Sequence, residues 1–286
     1  MIAPTSGFPT RWLTPALVLA LLVWGFPLAY AVGLSMTDAG PGVGGSFLGL
    51  QNYLRAFADP TFGRSLVVSA IFASGEVLLG VGLGFFLALG FYRGKRTRNW
   101  LQVALLLPWA VSEIAVALVW HSFLGEQTGL VNWFLGGLGL APIAWKTSAV
   151  GAMTALWLAS LWHGLAFSVL FQMAGLASLR TELLQAAELD GASRWRILRH
   201  IVLPHQRPTL VANALLVWMS GIIAFSLPFA LTGGGPLGAT ELVSLYSYNV
   251  AFGGQYELGY AAALGMIVLA LYAVFAFWYI RRRRAA

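Results

Sequence analysis

The sequence predicts an all-α integral membrane protein, with six transmembrane helices and a two-helix cytoplasmic loop between the fourth and fifth. Three observations predict it. Of the 286 residues, 59% are hydrophobic and only 9% charged, against roughly 25% charged in a soluble domain. The apolar residues gather into six runs near the length of about 20 residues that a bilayer requires. Lysine and arginine fall almost entirely into alternate gaps between those runs, the asymmetry that sets orientation in membranes.

The predicted spans are 13–34, 66–91, 100–123, 149–173, 209–231 and 259–280. Two of the gaps, "TDAGPGVGGS" and "TGGGPLGAT", are dense in glycine and proline and read as turns. The first span is read as retained. Ala29-Tyr30-Ala31 has the small-x-small look of a signal cleavage site, but the preceding apolar run is too long for a signal sequence and only Arg11 stands before it.

With the N-terminus inside, the inner segments hold Arg11; Arg93, Lys95, Arg96 and Arg98; Arg180, Arg194, Arg196, Arg199 and Arg207; and Arg281 to Arg284. The outer segments hold only Arg55, Arg64 and Lys146. Both termini are therefore expected in the cytoplasm of a multi-pass protein. The net charge of +7 is accounted for by anionic lipid headgroups, with no nucleic-acid partner. The terminal "RRRR" reads as a stop-transfer anchor.

The segment 174–208 is the loop between spans four and five. Within it, "LLQAAELDGASRWRILRHIVLP", Leu183 to Pro204, is unusually polar for this chain. Leu183, Leu184 and Ala187 share one helical face, and Ile197, Leu198 and Ile201 repeat at the same spacing. Gly191 interrupts, Ser193 is positioned to cap the second piece, and Pro204 and Pro208 are expected to end it. Such a helix pair suits either of two places: resting on lipid headgroups, or docking a soluble partner.

Several chemistries are excluded. With no cysteine, disulfides, thiolate catalysis and cysteine-bound metals are ruled out. The four histidines show no paired spacing for a metal, and no Gly-x-Ser-x-Gly elbow is present. "GFYRGKR", Gly90 to Arg96, is a poor phosphate loop: it has three residues between its glycines where four are needed, and arginine where Ser or Thr would hold magnesium. No catalytic residue, metal ligand or cofactor site is expected in this chain.

The segment "QAAELDGASRWRILRHIVLP" resembles the EAA motif of ABC importer permeases. Ala186, Ala187, Asp190, Gly191, Ala192, Leu203 and Pro204 match at the family spacing, while Gln185 stands where the family usually has glutamate. Other stretches are similar to the carbohydrate branch of that family, of the maltose and glycerol-3-phosphate type: "LSMTD" with "FLGLQNYLRAFADPTF", "LLPWAVSEIAVALVWHSFLGEQTGLVNWFL", and "LTGGGPLGATELVSLYSYNVAFGGQYELGYAAALG". The resemblance implies one ABC importer transmembrane domain over 1–286, in the cytoplasmic (inner) membrane of a prokaryote. It implies a second homologous permease, a dimer of ATP-binding cassette ATPases and an extracytoplasmic solute-binding protein as partners, with ATP and Mg bound by the partner ATPase. It makes the part around Gln185 to Asp190 the coupling helix.

Ionisable residues inside a bilayer are functional candidates by default. Glu76, Glu113 and His163 lie within spans two, three and four. With the sugar-importer resemblance, they become a candidate polar lining for a solute path, with Trp157 or Trp162 to stack on a sugar face. The alternative is that each is paired inside the bundle for packing. A further reading, an ion-coupled secondary transporter driven by Glu76 and Glu113, leaves the cytoplasmic loop without a purpose. "GVGLG", Gly80 to Gly84, is a small-xxx-small pair suited to close helix packing.

Overall fold

The computed structural model describes residues 13–42, 44–93 and 98–285. Arg11, Lys95 and Arg96, and with the last two part of the Gly90–Arg96 turn, lie outside the described residues. Apart from one isolated antiparallel bridge, Thr37 to Phe47, the regular structure of the described residues is helical. The chain forms two compact units, one of residues 1–62 with 247–286 and one of residues 63–246.

In the first unit, α1 (Thr14–Ser35) is apolar and long enough to cross a membrane, and its most apolar stretch is unburied. It contains a π-helical turn at Leu21–Gly25, after which the Phe26 N–H bonds back to the Leu21 carbonyl. That turn falls one residue before Pro27, whose missing N–H would otherwise interrupt the ladder. The amphipathic α2 (Gln51–Ala58) is tied to the end of α1. Buried Asn52 donates to the Ser35 and Thr37 carbonyls at 2.9 and 2.8 Å. The last helix of the chain, named α13 below, begins in the same unit at Leu258. There the Tyr260 hydroxyl donates to Asp59 at 2.7 Å, and Arg55 lies 4.0 Å over the Tyr260 ring while pairing with Glu257 at 2.7 Å.

The helix α3 (Pro60–Tyr92) begins six residues before the predicted span. The cause is local: Asp59 accepts from the Thr61 and Phe62 N–H groups at 2.9 and 3.3 Å, and Pro60 sits where a helix needs no donor.

The predicted third span is not one straight helix. It is α4 (Arg98–Trp109) and α5 (Glu113–Phe123), bent by 99° at the break. Pro108 disrupts the last turn of α4, and extended Ser112 restarts the chain by accepting from the Ala115 N–H at 3.4 Å. A short helix, α6 (Leu130–Gly137), follows. The connection to the next span is knotted by Glu126, which accepts from the Lys146 and Thr147 N–H groups, both at 2.9 Å, and from the Thr147 hydroxyl at 3.0 Å. The hydrogen bonds from the Lys146 and Thr147 backbone hold this carboxyl below its ordinary pKa.

The central helix α7 (Ala149–Ala177) starts where the Ser148 hydroxyl accepts from the Gly151 N–H at 2.9 Å. It packs through small buried residues, including Ala152, Ala155, Ala159 and Ala166. A methyl group at Gly84 of α3 would lie 2.8 Å from the Ser168 side chain, so the two helices meet closely there. Gln172 and Gln206, both fully buried, join α7 to the fifth-span helix through a 2.8 Å bond from Gln206 to the Gln172 carbonyl.

The loop after α7 forms α8 (Thr181–Leu189) and α9 (Arg194–Ile197). At its turn Gly191 has φ +72°. The Ala192 N–H bonds to the Ala187 carbonyl at 2.9 Å and the Gly191 N–H to that of Glu188 at 3.1 Å, which is a Schellman closure. Ser193 caps α9, accepting from Arg196 N–H at 3.3 Å. Contrary to the sequence expectation, Pro204 and Pro208 do not end the second piece. A π-helical turn at Leu198–Val202 carries α9 directly into α10 (Leu203–Ile222), with the Leu203 N–H bonded to the Leu198 carbonyl. Pro204 then follows directly on the π-helical turn, where the i→i−4 ladder is already shifted. The predicted fifth span also breaks near its other end, at Ile223–Phe225, before α11 (Ser226–Leu231).

The chain closes with α12 (Val243–Phe252) and α13 (Leu258–Ala285). Four helices of the described residues are long and apolar enough to cross a membrane, or five if the bent α4–α5 pair is one span. The helix α10 is not among them, since its first turns carry His205, Gln206 and Arg207.

The second unit has two apolar cores. One gathers Val68, Phe72, Val116, Leu156 and Leu227. The other gathers Phe85, Val169, Leu176, Ile197 and Val202, with Leu184, Ala187, Ala192, Leu198 and Ile201 packed against it. Most of the loop's apolar stripe therefore faces protein, while Leu183 is exposed.

Candidate functional site

Between these two cores lies a polar cavity. On α3 the order is Phe72 in the first core, then Glu76, Leu79 and Gly80, then Phe85 in the second. On α7 it is Leu156, then Ser160, His163 and Phe167, then Val169. The cavity has two lobes of about 280 and 350 Å³. Five residues line both: Glu76, Glu113, Ser160, His163 and Ser220.

On α3, on the α4–α5 pair and on α10 the residues lining only one lobe fall in a consistent order, while on α7 those on both sides of Ser160, Trp157 and Phe167, belong to the first lobe. Trp109 precedes Glu113 and belongs to the first lobe, while Val116 follows it and belongs to the second. Phe72 lies in the second lobe and Leu79 in the first, on either side of Glu76. Val217 lies in the first and Ile223 in the second, on either side of Ser220. The five shared residues thus form a polar waist in the sense of a boundary common to the two chambers.

Glu76 accepts a hydrogen bond from the Ser160 hydroxyl. Its carboxylate occupies space left by Gly221, where a methyl group would collide with it and lie 2.9 Å from the Ala73 backbone. His163 Nδ1 lies 3.0 Å from the Pro108 carbonyl. A carbonyl only accepts, so Nδ1 carries the proton and Nε2 is left for the waist. The bend between α4 and α5 thus serves the site twice: it anchors the histidine and delivers Glu113 at the first position of α5.

Of the residues proposed from sequence, Glu76, Glu113, Trp157 and His163 line this cavity. The Trp157 indole lies across Gly75 and donates to the Phe72 carbonyl at 3.0 Å. Trp162 is not in the lining. It is 42% exposed and meets Trp120 edge-on at 6.4 Å. Sequence reasoning missed Ser160 and Ser220. The signal for Ser160 was its spacing, since Trp157, Ser160, His163 or Gly164, and Phe167 recur every three to four residues on one helical face. Ser220 carries no comparable signal.

The loop residues take two environments. Gln185, Ala186, Asp190 and Gly191 are exposed, and Leu189 beside them is 90% exposed. Ala187 and Ala192 pack inward on the second core. Leu203 and Pro204 are exposed at the start of α10.

The profile of a family described as "Binding-protein-dependent transport system inner membrane component" matches residues 80–284. The chain is 35% identical over 225 residues to the trehalose/maltose transport system permease protein of Thermococcus litoralis, covering 79% of this chain and 76% of that one. It is 31% identical over 271 residues to the sulfoquinovosyl glycerol transport system permease protein of Agrobacterium fabrum, covering 91% and 84%. It is 30% identical over 294 residues to the sn-glycerol-3-phosphate transport system permease protein of the same organism, covering 99% and 98%. Among solved structures, a chain of a bacterial ABC transporter involved in import of the acidic polysaccharide alginate superposes with a TM-score of 0.79. The identity is 24%, over 96% of this chain and 94% of that one.

Proposed function

Because this chain belongs to the family of binding-protein-dependent transport system inner membrane components, we propose that it is the permease subunit of an ATP-driven importer. Its cargo is a sugar or sugar-like solute, carried across the cytoplasmic membrane by alternating access. The curated relatives are named as permeases for saccharides and related solutes, and the sequence carries no phosphate-loop motif. ATP and magnesium therefore belong to a cytoplasmic ATPase dimer. A second permease and an extracytoplasmic solute-binding protein complete the assembly. A solved relative is described in complex with a periplasmic protein carrying an alginate pentasaccharide.

The turn at Asp190–Gly191 carries the assignment of a coupling site. Its inner face, Leu184, Ala187 and Ala192, is held by the second core, while Gln185, Ala186, Leu189 and Asp190 project outward. A projecting apolar tip on a rigidly backed turn suits insertion into a partner's cleft. Gly191, Leu203 and Pro204 shape the turn and its exit. Gln185 keeps the length of the family glutamate without its charge.

The six-span reading takes the α4–α5 pair and the α10–α11 pair as interrupted spans, with both termini cytoplasmic. Reporter fusions after Lys95, Gly191 and Arg284 should report cytoplasm, and fusions at Gly42 and Gly238 the outside. A cytoplasmic signal at Gly238 would break this topology.

The cavity is the solute path in this reading, with Glu76, Glu113 and His163 offering hydrogen bonds to hydroxyls and Trp157 an aromatic wall. Reconstituted uptake should persist with ATP present and the proton gradient collapsed, and Glu76→Gln should retain most of it. A carrier driven by proton movement through Glu76 would fail both tests.

A further inference from the structure

We propose that the waist is a charge filter, which passes uncharged and cationic solutes and turns back anionic ones such as uronates, sugar phosphates and sulfonates. The inference rests on the reading of the cavity as the solute path. Among the described residues, the lining of both chambers contains two carboxyl groups, Glu76 and Glu113, and no lysine or arginine. Both carboxyl groups stand among the five residues common to the two chambers, so a solute moving from one to the other passes both.

An anion at the waist meets two carboxyl groups, and like charges at reduced dielectric repel while a cation is attracted. For an anion this lining supplies a hydroxyl donor from Ser220 but no cation. His163 adds none while neutral, because its one proton is directed at the Pro108 carbonyl. A neutral polyol instead finds acceptors in the carboxylates and in His163 Nε2, and a donor in the Ser220 hydroxyl. Ser160 already donates to Glu76, which holds that carboxylate at the waist.

The chain has no cysteine, so a single introduced thiol is the only one it carries. Ser220→Cys places a thiol at the waist. Ala141→Cys, at an exposed position away from the cavity lining, serves as the reference. The assembled complex in lipid nanodiscs, where both faces are open, is treated with trimethylammonium-ethyl or sulfonato-ethyl methanethiosulfonate. In each case the thiolate attacks the reagent's sulfenyl sulfur, forms a mixed disulfide and releases methanesulfinate. Modification is read on this chain by intact mass.

The cation-to-anion rate ratio at Ser220→Cys should exceed the ratio at Ala141→Cys by about tenfold or more, as expected for close charges at reduced dielectric. Adding Glu76→Gln and Glu113→Gln should return it to within about twofold of the reference. Equal ratios at the two positions would overturn the filter while leaving the path intact, and a preference that survives the double glutamine variant would overturn its assignment to these carboxylates. If neither reagent reaches Ser220→Cys while Ala141→Cys reacts, no aqueous route exists there. In that case the path reading falls together with the filter.

Discussion

Gly191→Val is expected to abolish substrate-stimulated ATP hydrolysis and uptake while leaving the chain inserted in the membrane. The reason is conformational. Gly191 has φ +72° and no atom within 4 Å of where a Cβ would stand, so a side chain meets no obstacle, only a forbidden backbone. A β-branched residue there is strained by about 1–3 kcal/mol. Relief requires φ to turn negative, which breaks the Ala192 to Ala187 and Gly191 to Glu188 bonds that close α8 and swings Leu189 away from its place at the tip. Gly191→Asn, which tolerates the left-handed region, should retain most coupling, and Gln185→Glu should be neutral or mildly favourable. The measurement is ATP hydrolysis and uptake in the reconstituted complex, with ATPase retention followed in parallel. Unchanged stimulation and retention in Gly191→Val would show that this turn does not couple.

The second large effect is expected at Gly221. Gly221→Ala puts a methyl group 2.9 Å from both Cα and Cβ of Ala73 and against the Glu76 carboxylate. Backbone must move, because the Ala73 Cα is no flexible end. Overpacking of this kind costs about 1–3 kcal/mol, equivalent to a fall of roughly 2–10 °C in the melting temperature of the purified subunit. Because Glu76 is pushed from its position beside Ser160, uptake should fall by about tenfold or more, beyond what the loss of stability explains. Ala73→Gly in the same chain should recover much of the thermal loss, since it removes one of the two colliding methyl groups. A variant that melts and transports like the parent would rule out the close approach of α3 and α10 at this level.

Spans one, two, four and six were legible because each is a long apolar run with clear punctuation. Ser193 was readable in the same way, since a serine ahead of a helical pattern has a specific job to do. The two interrupted spans were not legible. Ala110 and Val111 are as apolar as their neighbours, so an average over the third span runs across the break without noticing it. Only Pro108 followed by Ser112 marked it. In the fifth span the prolines were read by helix propensity alone. The π-helical turn at Leu198–Val202 shifts the bonding pattern ahead of Pro204, an adjustment that residue preferences do not encode.

The cavity was partly legible. An ionisable side chain in an apolar run is conspicuous, and Glu76, Glu113 and His163 were found that way. Trp157 and Trp162 looked equivalent in sequence, yet at about 100° per residue they point roughly 140° apart on α7. Trp157 lies about 60° from Ser160 and Trp162 about 160° from it, so only Trp157 shares the cavity face. Ser160 and Ser220 are small and common, and what makes them matter is the partner each faces across the cavity.

The joining of α9 to α10 has a mechanical consequence. From Arg194 to Ile222 the chain is an uninterrupted helical rod, roughly 40 Å long at about 1.5 Å per residue. One end begins three residues after Gly191, and the other carries Ser220 and Gly221 against Glu76. Its joints are the π-helical turn, close to the loop end, and Pro208 inside α10. A push on that end is either absorbed by bending at Leu198–Val202 or delivered as tilt at Ser220, with the buried Gln172–Gln206 contact as fulcrum. Gln206 lies near the middle, roughly 18 Å from Arg194 and 21 Å from Ser220 at about 1.5 Å per residue, so the rod is a balanced lever that returns a displacement at its loop end as one of similar size and opposite sense beside Glu76.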